Sequence, residues 1–285
     1  MTQDELDAAY NQAAYAPNME DVIARFAARS EMVRRRLGAP MRYAYGSGKN
    51  DGLDVYGPAS SDGTGAINVF IHGGAWRGGE AKNYAFPAEL FTNAGAYFVP
   101  IDFDAVQDHD GDLMPMVDQV RRAIAWLGAN AHLFGGDPER VHLLAHSSGA
   151  HLAGVVLTTN WQNDFGLPRD FIKSALLCSG MYDMAPVRLS ARSAYVSFTD
   201  ESEHALSAIR HLEQIVTPLT IAHGANETPE FQRHSRDFAA ALQARSHPAE
   251  LVVGEGLNHF EILETLADPD GVLGRAALRQ MDPAA

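Results

Sequence analysis

From Ile67 onward the chain repeats one alternation, in which a short apolar run is followed by a longer stretch with apolar residues every three or four positions. The runs Ile67–Ile71, Tyr97–Ile101, Val141–His146, Ile172–Cys178, Leu219–His223 and Leu251–Val253 predict strands. The stretches Tyr84–Asn93, Met114–Phe134, Ser148–Leu157 and Glu230–Arg245 predict the helices between them. Upstream, Val22, Phe26, Val33 and Leu37 share one face of a helix over Met19–Leu37, which Gly38 and Pro40 stop. Two further strands, Met41–Tyr45 and Leu53–Tyr56, flank the turn-rich Gly46–Gly52. Apolar strands separated by helices imply an α/β fold, with a mostly parallel central sheet of about eight strands covered by helices on both faces. Only residues 182–216 break the rhythm, and they read as a cap-like insertion at one end of the sheet. With no repeat or linker, residues 1–285 read as a single domain.

Composition narrows the function classes. A formal charge of −14 disfavours nucleic acid or an anionic membrane as partner, because both need a basic face. A small-molecule substrate is the expected partner, and a homodimer is compatible with a sequence that leaves the oligomeric state open. Arg34–Arg36 has a bland explanation, since cations suit a helix C-terminus. One cysteine, Cys178, allows no intramolecular disulfide and no Cys-based zinc site, and it sits in an apolar run. The acidic Met1–Tyr10 lacks the apolar core of a signal peptide, and no apolar stretch approaches the length of a membrane span. The expected compartment is the cytoplasm.

Chemistry concentrates at the ends of the predicted strands. Ala145-His146-Ser147-Ser148-Gly149 lies between a strand and a helix. A serine on a sharp strand-to-helix turn needs small residues two positions before and after it, so that the crossing backbones can pass. Ala145 and Gly149 meet this for Ser147, whereas His146 and Ala150 fit Ser148 badly. Ser147 is therefore the candidate nucleophile. The string is weak evidence alone; its position between strand and helix gives it weight. His72-Gly73-Gly74-Ala75-Trp76 follows the strand Ile67–Ile71, and small residues there let the chain bend so that backbone amides can face a developing oxyanion. Gly74, Ala75 and Ser148 are the candidate amide donors.

The base must follow the last strand, and of twelve histidines His259 alone does so before a helix. His142, His146 and His151 suggest a metal cluster only on paper. Along a strand the first two lie too far apart to share an ion readily, and no Asp or Glu accompanies them nearby, so no metal is expected. The acid should end the preceding strand, where Glu227 stands three residues past Gly224. Asp183 and Glu230 are its rivals, although Glu230 falls in a first helical turn, where a carboxylate has a structural reason to be.

With these residues in place the chain resembles the arylformamidase (kynurenine formamidase) group of α/β-hydrolases, neighbours of the hormone-sensitive-lipase type esterases. The likeness rests on His72–Trp76, His146–Leu152, Ser179-Gly180-Met181-Tyr182-Asp183, Glu227-Thr228-Pro229-Glu230-Phe231 and Asn258-His259-Phe260. Leu6–Asn11 resembles the segment such enzymes fold across the active-site mouth, which implies that residues 1–38 cover it. In two places the sequence departs from the pattern: Ala145 replaces the elbow's first glycine, and Glu227 stands where many relatives have aspartate. The resemblance implies a cofactor-free serine hydrolase with Ser147, His259 and Glu227 as triad. Its substrate would be a small aryl formamide such as N-formylkynurenine, or else a short-chain or aromatic ester. Trp76, Tyr10, Tyr182 and Tyr195 are the candidate aromatic walls, and Arg192 or Arg188 could hold a substrate carboxylate.

Overall fold

The computed structural model describes residues 1–58 and 63–281. In chain order its elements are α1 (Gln3–Ala9), α2 (Met19–Leu37), β1 (Met41–Ala44), β2 (Gly52–Val55), β3 (Ile67–Ile71), α3 (Ala88–Asn93), β4 (Tyr97–Pro100), α4 (Met114–Asn130), β5 (Val141–His146) and α5 (Ser148–Val156). There follow α6 (Trp161–Phe165), β6 (Ile172–Cys178), α7 (Met184–Leu189), α8 (Asp200–Ala205), β7 (Leu219–Gly224), α9 (Pro229–Gln243), β8 (Ala249–Gly254), α10 (Glu261–Glu264) and α11 (Val272–Met281).

Strands β3–β8 form one parallel sheet in the order β4-β3-β5-β6-β7-β8. Because successive side chains on a strand point to opposite faces, one strand feeds two cores. Val69 and Ile71 of β3 join Leu143, Leu177 and Ile221 beneath α4, α5 and α9, while Phe70 joins Phe98, Leu144 and Leu176 against α2, α3 and α11. Burial on both faces explains why β3, β5 and β7 read as near-continuous apolar runs.

The central sheet has six strands rather than about eight. The other two, β1 and β2, form their own antiparallel pair, which joins the β4 edge through two isolated bridges, Tyr56 to Phe98 and Leu53 to Ile101, instead of a continuous ladder. Phe98 and Tyr56 exchange both backbone bonds, and the Asp102 amide donates to the Gly52 carbonyl. Between them stands Pro100, which has no N–H to give, so the ladder cannot run on. Proline also divides the expected helix Tyr84–Asn93: a 3₁₀ turn covers Ala81–Tyr84, and α3 starts only after Pro87. Residues 182–216 contain α7, α8 and short 3₁₀ turns between β6 and β7. Among the described residues no helix is long and apolar enough to cross a membrane.

Strand order reverses at β3, which has β4 on one side and β5 on the other. At such a switch point the loops leaving the two central strands diverge, and the gap above their C-terminal ends is the natural ligand crevice. The loop after β3 and the turn from β5 into α5 meet there. Their approach depends on Gly149, where an added Cβ would stand 2.2 Å from the Ile71 carbonyl oxygen and 2.3 Å from that of His72. Both neighbours are backbone and cannot rotate away. Gly149→Ala is therefore expected to cost about 3 kcal/mol or more, the upper range for overpacking, and to lower the thermal midpoint by about 6 °C or more. Thermal denaturation checks this; an unchanged midpoint would mean that the two loops are not wedged together.

Candidate active site

Ser147 ends β5 and precedes α5 with φ 56° and ψ −125°, a strained conformation for a residue with a side chain. Its amide donates to the Cys178 carbonyl at 2.8 Å, so the sheet ladder fixes the turn. The strain presents Oγ to His259 Nε2 at 2.8 Å, and His259 Nδ1 lies 2.9 Å from Glu227 Oε2. All three residues are buried. Burial alone would push the Glu227 carboxyl up. The facing His259 and hydrogen bonds from His259, Ser179 and the Gly224 amide outweigh it and hold the group below the usual carboxylate range. With Glu227 ionised, Nδ1 carries the ring proton and donates, leaving the Nε2 lone pair for the serine hydroxyl.

Glu227 Oε1 accepts from the Ser179 hydroxyl and from the Gly224 amide, each at 2.6 Å. The rival acids are engaged elsewhere. Asp183 caps α7 by accepting from the Ala185 amide and pairs with Arg210. Glu230 takes a two-pronged pair of bonds from Arg233 and a third from the Tyr10 hydroxyl.

The loop after β3 is strained in the same way. Gly74 has φ 124°, and a Cβ there would fall 2.0 Å from the Gly78 carbonyl oxygen. Ala75 and Trp76 follow at φ 54° and 62°. Gly73, Gly74 and Ala75 line a cleft of about 1140 Å³ that has Ser147 and His259 in its wall. Among the described residues, no acceptor takes the amide hydrogens of Gly74, Ala75 or Ser148. The Ser148 hydroxyl, by contrast, accepts from the Trp76 amide at 3.2 Å and so ties the loop to α5.

The three suspect histidines are spread apart. His142 bonds Ser174, His151 links the Trp76 indole to the Leu206 carbonyl, and His146 Nε2 meets the His259 carbonyl at 2.8 Å. Burial first, then the neighbouring His259, pushes His146 down to about 3, so it stays neutral and holds the His259 backbone by a neutral bond. Among the described residues no cluster of His, Cys, Asp and Glu could hold a metal ion.

The expected pocket residues divide. Tyr10, Arg192 and Tyr195 line the cleft. Tyr182 does not: it is 1% exposed and its ring stacks on Phe238 at 4.2 Å, which makes it core. Trp76 is likewise 1% exposed and lies behind the cleft wall, beneath the Arg192 guanidinium at 5.3 Å. Both corrections have one cause, since the rings in these loops are needed to pack the insertion onto α5 and α9. Arg188 is committed to Asp200 and Glu203. Arg192 bonds only neutral oxygens, the Tyr195 hydroxyl at 2.8 Å and the Tyr10 carbonyl at 3.3 Å, and among the described residues no carboxylate pairs with it. Sequence reasoning gave no role to Ser179 or to Gln12, whose amide nitrogen lies 3.4 Å from Glu227 Oε2.

A switch-point crevice with a Ser–His–Glu hydrogen-bonded chain beneath a glycine loop is the arrangement of an α/β-hydrolase. Known proteins agree. Residues 53–176 match the BD-FAE family. A kynurenine formamidase of Danio rerio is 30% identical over 99% of this chain and 97% of its own. An isoprenylcysteine alpha-carbonyl methylesterase of Arabidopsis thaliana is 27% identical over 84% of this chain and 59% of its own. A solved structure from Silicibacter sp., provisionally called a thioesterase, superposes with a TM-score of 0.81 at 23% identity, over 94% of this chain and 97% of that one. The chain is thus a hydrolase of the α/β-hydrolase fold. Within that class it belongs to the kynurenine formamidase family.

The geometry separates the two adjacent serines, because only the Ser147 hydroxyl faces an imidazole. A fluorophosphonate should therefore label Ser147, as read by peptide mass mapping. An adduct on Ser148 would contradict the assignment.

Proposed function

We propose that the enzyme hydrolyses a small aryl formamide, with N-formylkynurenine as the natural candidate, through an acyl-enzyme on Ser147. The Ser147–His259–Glu227 chain in the cleft wall carries this reading. Ser147 Oγ attacks the formyl carbon as its proton passes to His259 Nε2, and the carbonyl electrons move onto oxygen. The amides of Gly74, Ala75 and Ser148 receive that oxyanion. When the C–N bond breaks, His259 returns the proton to the departing aryl nitrogen, leaving Ser147 formylated. Water then attacks the ester, giving one proton to His259, and formic acid, which ionises to formate in the solvent, leaves as Ser147 regains its hydrogen from His259. Glu227 keeps the imidazole in the productive tautomer and offsets its charge while it is protonated. No cofactor takes part in these steps.

The choice of substrate leans on Arg192. A guanidinium in a cleft wall with no carboxylate partner among the described residues suits a ligand that brings one, and formylkynurenine carries an amino-acid carboxylate. The full-length likeness to a kynurenine formamidase supports the same choice. A carboxylesterase acting on short-chain or aromatic esters is the second reading. It is favoured by the apolar wall that Met19, Ile23, Phe26 and Ala27 of α2 give the cleft, which would suit a neutral group. A reducing cytoplasm is the proposed compartment, in keeping with a lone, buried cysteine. The triad serves either substrate, so rates decide.

N-formylkynurenine should be turned over faster than a neutral short-chain aryl ester. Arg192→Met should raise its KM by about 10–100-fold, the worth of a hydrogen-bonded charge pair, and change the KM of the ester by less than about twofold. Steady-state kinetics on both substrates measure this. Slower turnover of formylkynurenine than of the ester, or an Arg192→Met effect equal on both, would replace the formamidase reading with the esterase one.

A further inference from the structure

The first sixteen residues are fastened to the rest of the molecule through its functional parts. Gln3 Nε2 donates to the Leu189 carbonyl at 2.8 Å, and the Ala191 amide donates to Asp7 Oδ1 at 2.6 Å, so α1 is fixed to the insertion. The Tyr10 oxygen lies 2.8 Å from His234 Nε2 and 3.2 Å from Glu230 Oε2 on α9. His234 Nδ1 accepts from the Tyr182 amide at 3.3 Å, so its Nε2 carries the proton and donates to Tyr10, whose hydroxyl then donates to Glu230. Burial, followed by the nearby Arg233, lowers His234 to about 3, so this latch persists through neutral pH.

Beyond the latch the chain turns inward at Gln12, which is only 7% exposed. Its Nε2 lies 3.4 Å from Glu227 Oε2, and its Oε1 accepts from the Thr228 amide at 3.3 Å. The second contact fixes the orientation of the first, because a flipped amide would set N–H against N–H. A buried carboxylate oxygen has room for two donors. Oε1 has Ser179 and Gly224, while Oε2 has His259 and Gln12.

We infer that Gln12 is a positioning residue for the triad, so that the N-terminal segment both walls the cleft and holds the acid that orients His259. This rests on Glu227 being that acid. Gln12 does its work through Glu227: it completes the donors around Oε2, which keeps that oxygen aimed at Nδ1 rather than free to rotate. Gln12 lines the cleft together with its neighbours Asp7, Ala8, Tyr10, Asn11 and Ala13. Substrate pressing on that wall therefore bears on the same peptide that fixes the acid.

The test is a double-mutant cycle on the full chain, read with p-nitrophenyl acetate and with N-formylkynurenine. Gln12→Met keeps the length of the side chain and removes both hydrogen bonds. It should lower kcat by about tenfold, the low end for a bond to a charged group, with KM changed by less than about twofold. In a Glu227→Gln background the same substitution should change kcat by less than about twofold, because residues acting as one unit are not additive. Gln12→Asn, which keeps the amide but falls one methylene short, should behave like Gln12→Met and serves if that variant folds poorly. An unchanged kcat, a loss confined to KM, or an equal tenfold loss in both backgrounds would overturn the inference. If Glu227→Gln collapses turnover while the Gln12 variants do not, this inference fails alone. If Glu227→Gln itself leaves turnover intact, the triad acid falls with it.

Discussion

Glu227 is a carboxylate with about 1% of its surface exposed, and the active site is organised around keeping it charged. An isolated charge would be expelled from such a place or neutralised there. Four donors prevent this, and they come from four parts of the chain: Gln12 before α2, Ser179 after β6, Gly224 at the end of β7, and His259 after β8. Satisfying one carboxylate thus brings together elements more than two hundred residues apart. The linkage has a sign. Because the folded protein holds this carboxyl below its ordinary value, the ionised form favours the fold at pH above the ordinary carboxylate range. That contribution disappears as pH falls through the folded-state value.

Strain gathers around the same point. Among the described residues, six with side chains adopt positive φ, and Ala75, Trp76, Ser147 and Ser179 are four of them. Each such conformation costs about 1–3 kcal/mol and persists only where surrounding structure over-determines it. Here the parallel ladder from β5 to β6 holds Ser147, the Trp76–Ser148 bond holds the glycine loop, and the bond to Glu227 holds Ser179. Geometry that loops alone would leave slack is therefore set by the sheet and by the buried charge.

The central strands β3, β5 and β7 were legible because each is buried along its whole length, which makes an apolar run a distinctive signal. Met19–Leu37, Ile67–Ile71, Val141–His146 and Ile172–Cys178 have the bounds the pattern predicts. The places of Ser147 and His259 could be read because backbone crossing at an elbow limits residue size and because chain order limits the choice of histidine. What was illegible depends on partners distant in sequence. Tyr182 and Trp76 look like pocket aromatics until Phe238 and Arg192 are placed beside them. Gln12 carries no local signal at all, since its meaning lies entirely in a carboxylate 215 positions away. The count of sheet strands failed for a covalent reason, the missing N–H of Pro100, visible in the sequence but meaningful only once β2 lies alongside.

If the Glu227–His259 bond organises the chemistry, exchanging that carboxylate for its amide should remove most of the rate without unfolding the protein. The most direct measurement is kcat of Glu227→Gln beside that of Asp183→Asn, each with a thermal melt to verify folding. The account predicts a fall of about three to four orders of magnitude for Glu227→Gln and less than about threefold for Asp183→Asn, which would lose only part of a helix cap and a surface ion pair. The opposite ranking, in two folded variants, would contradict it.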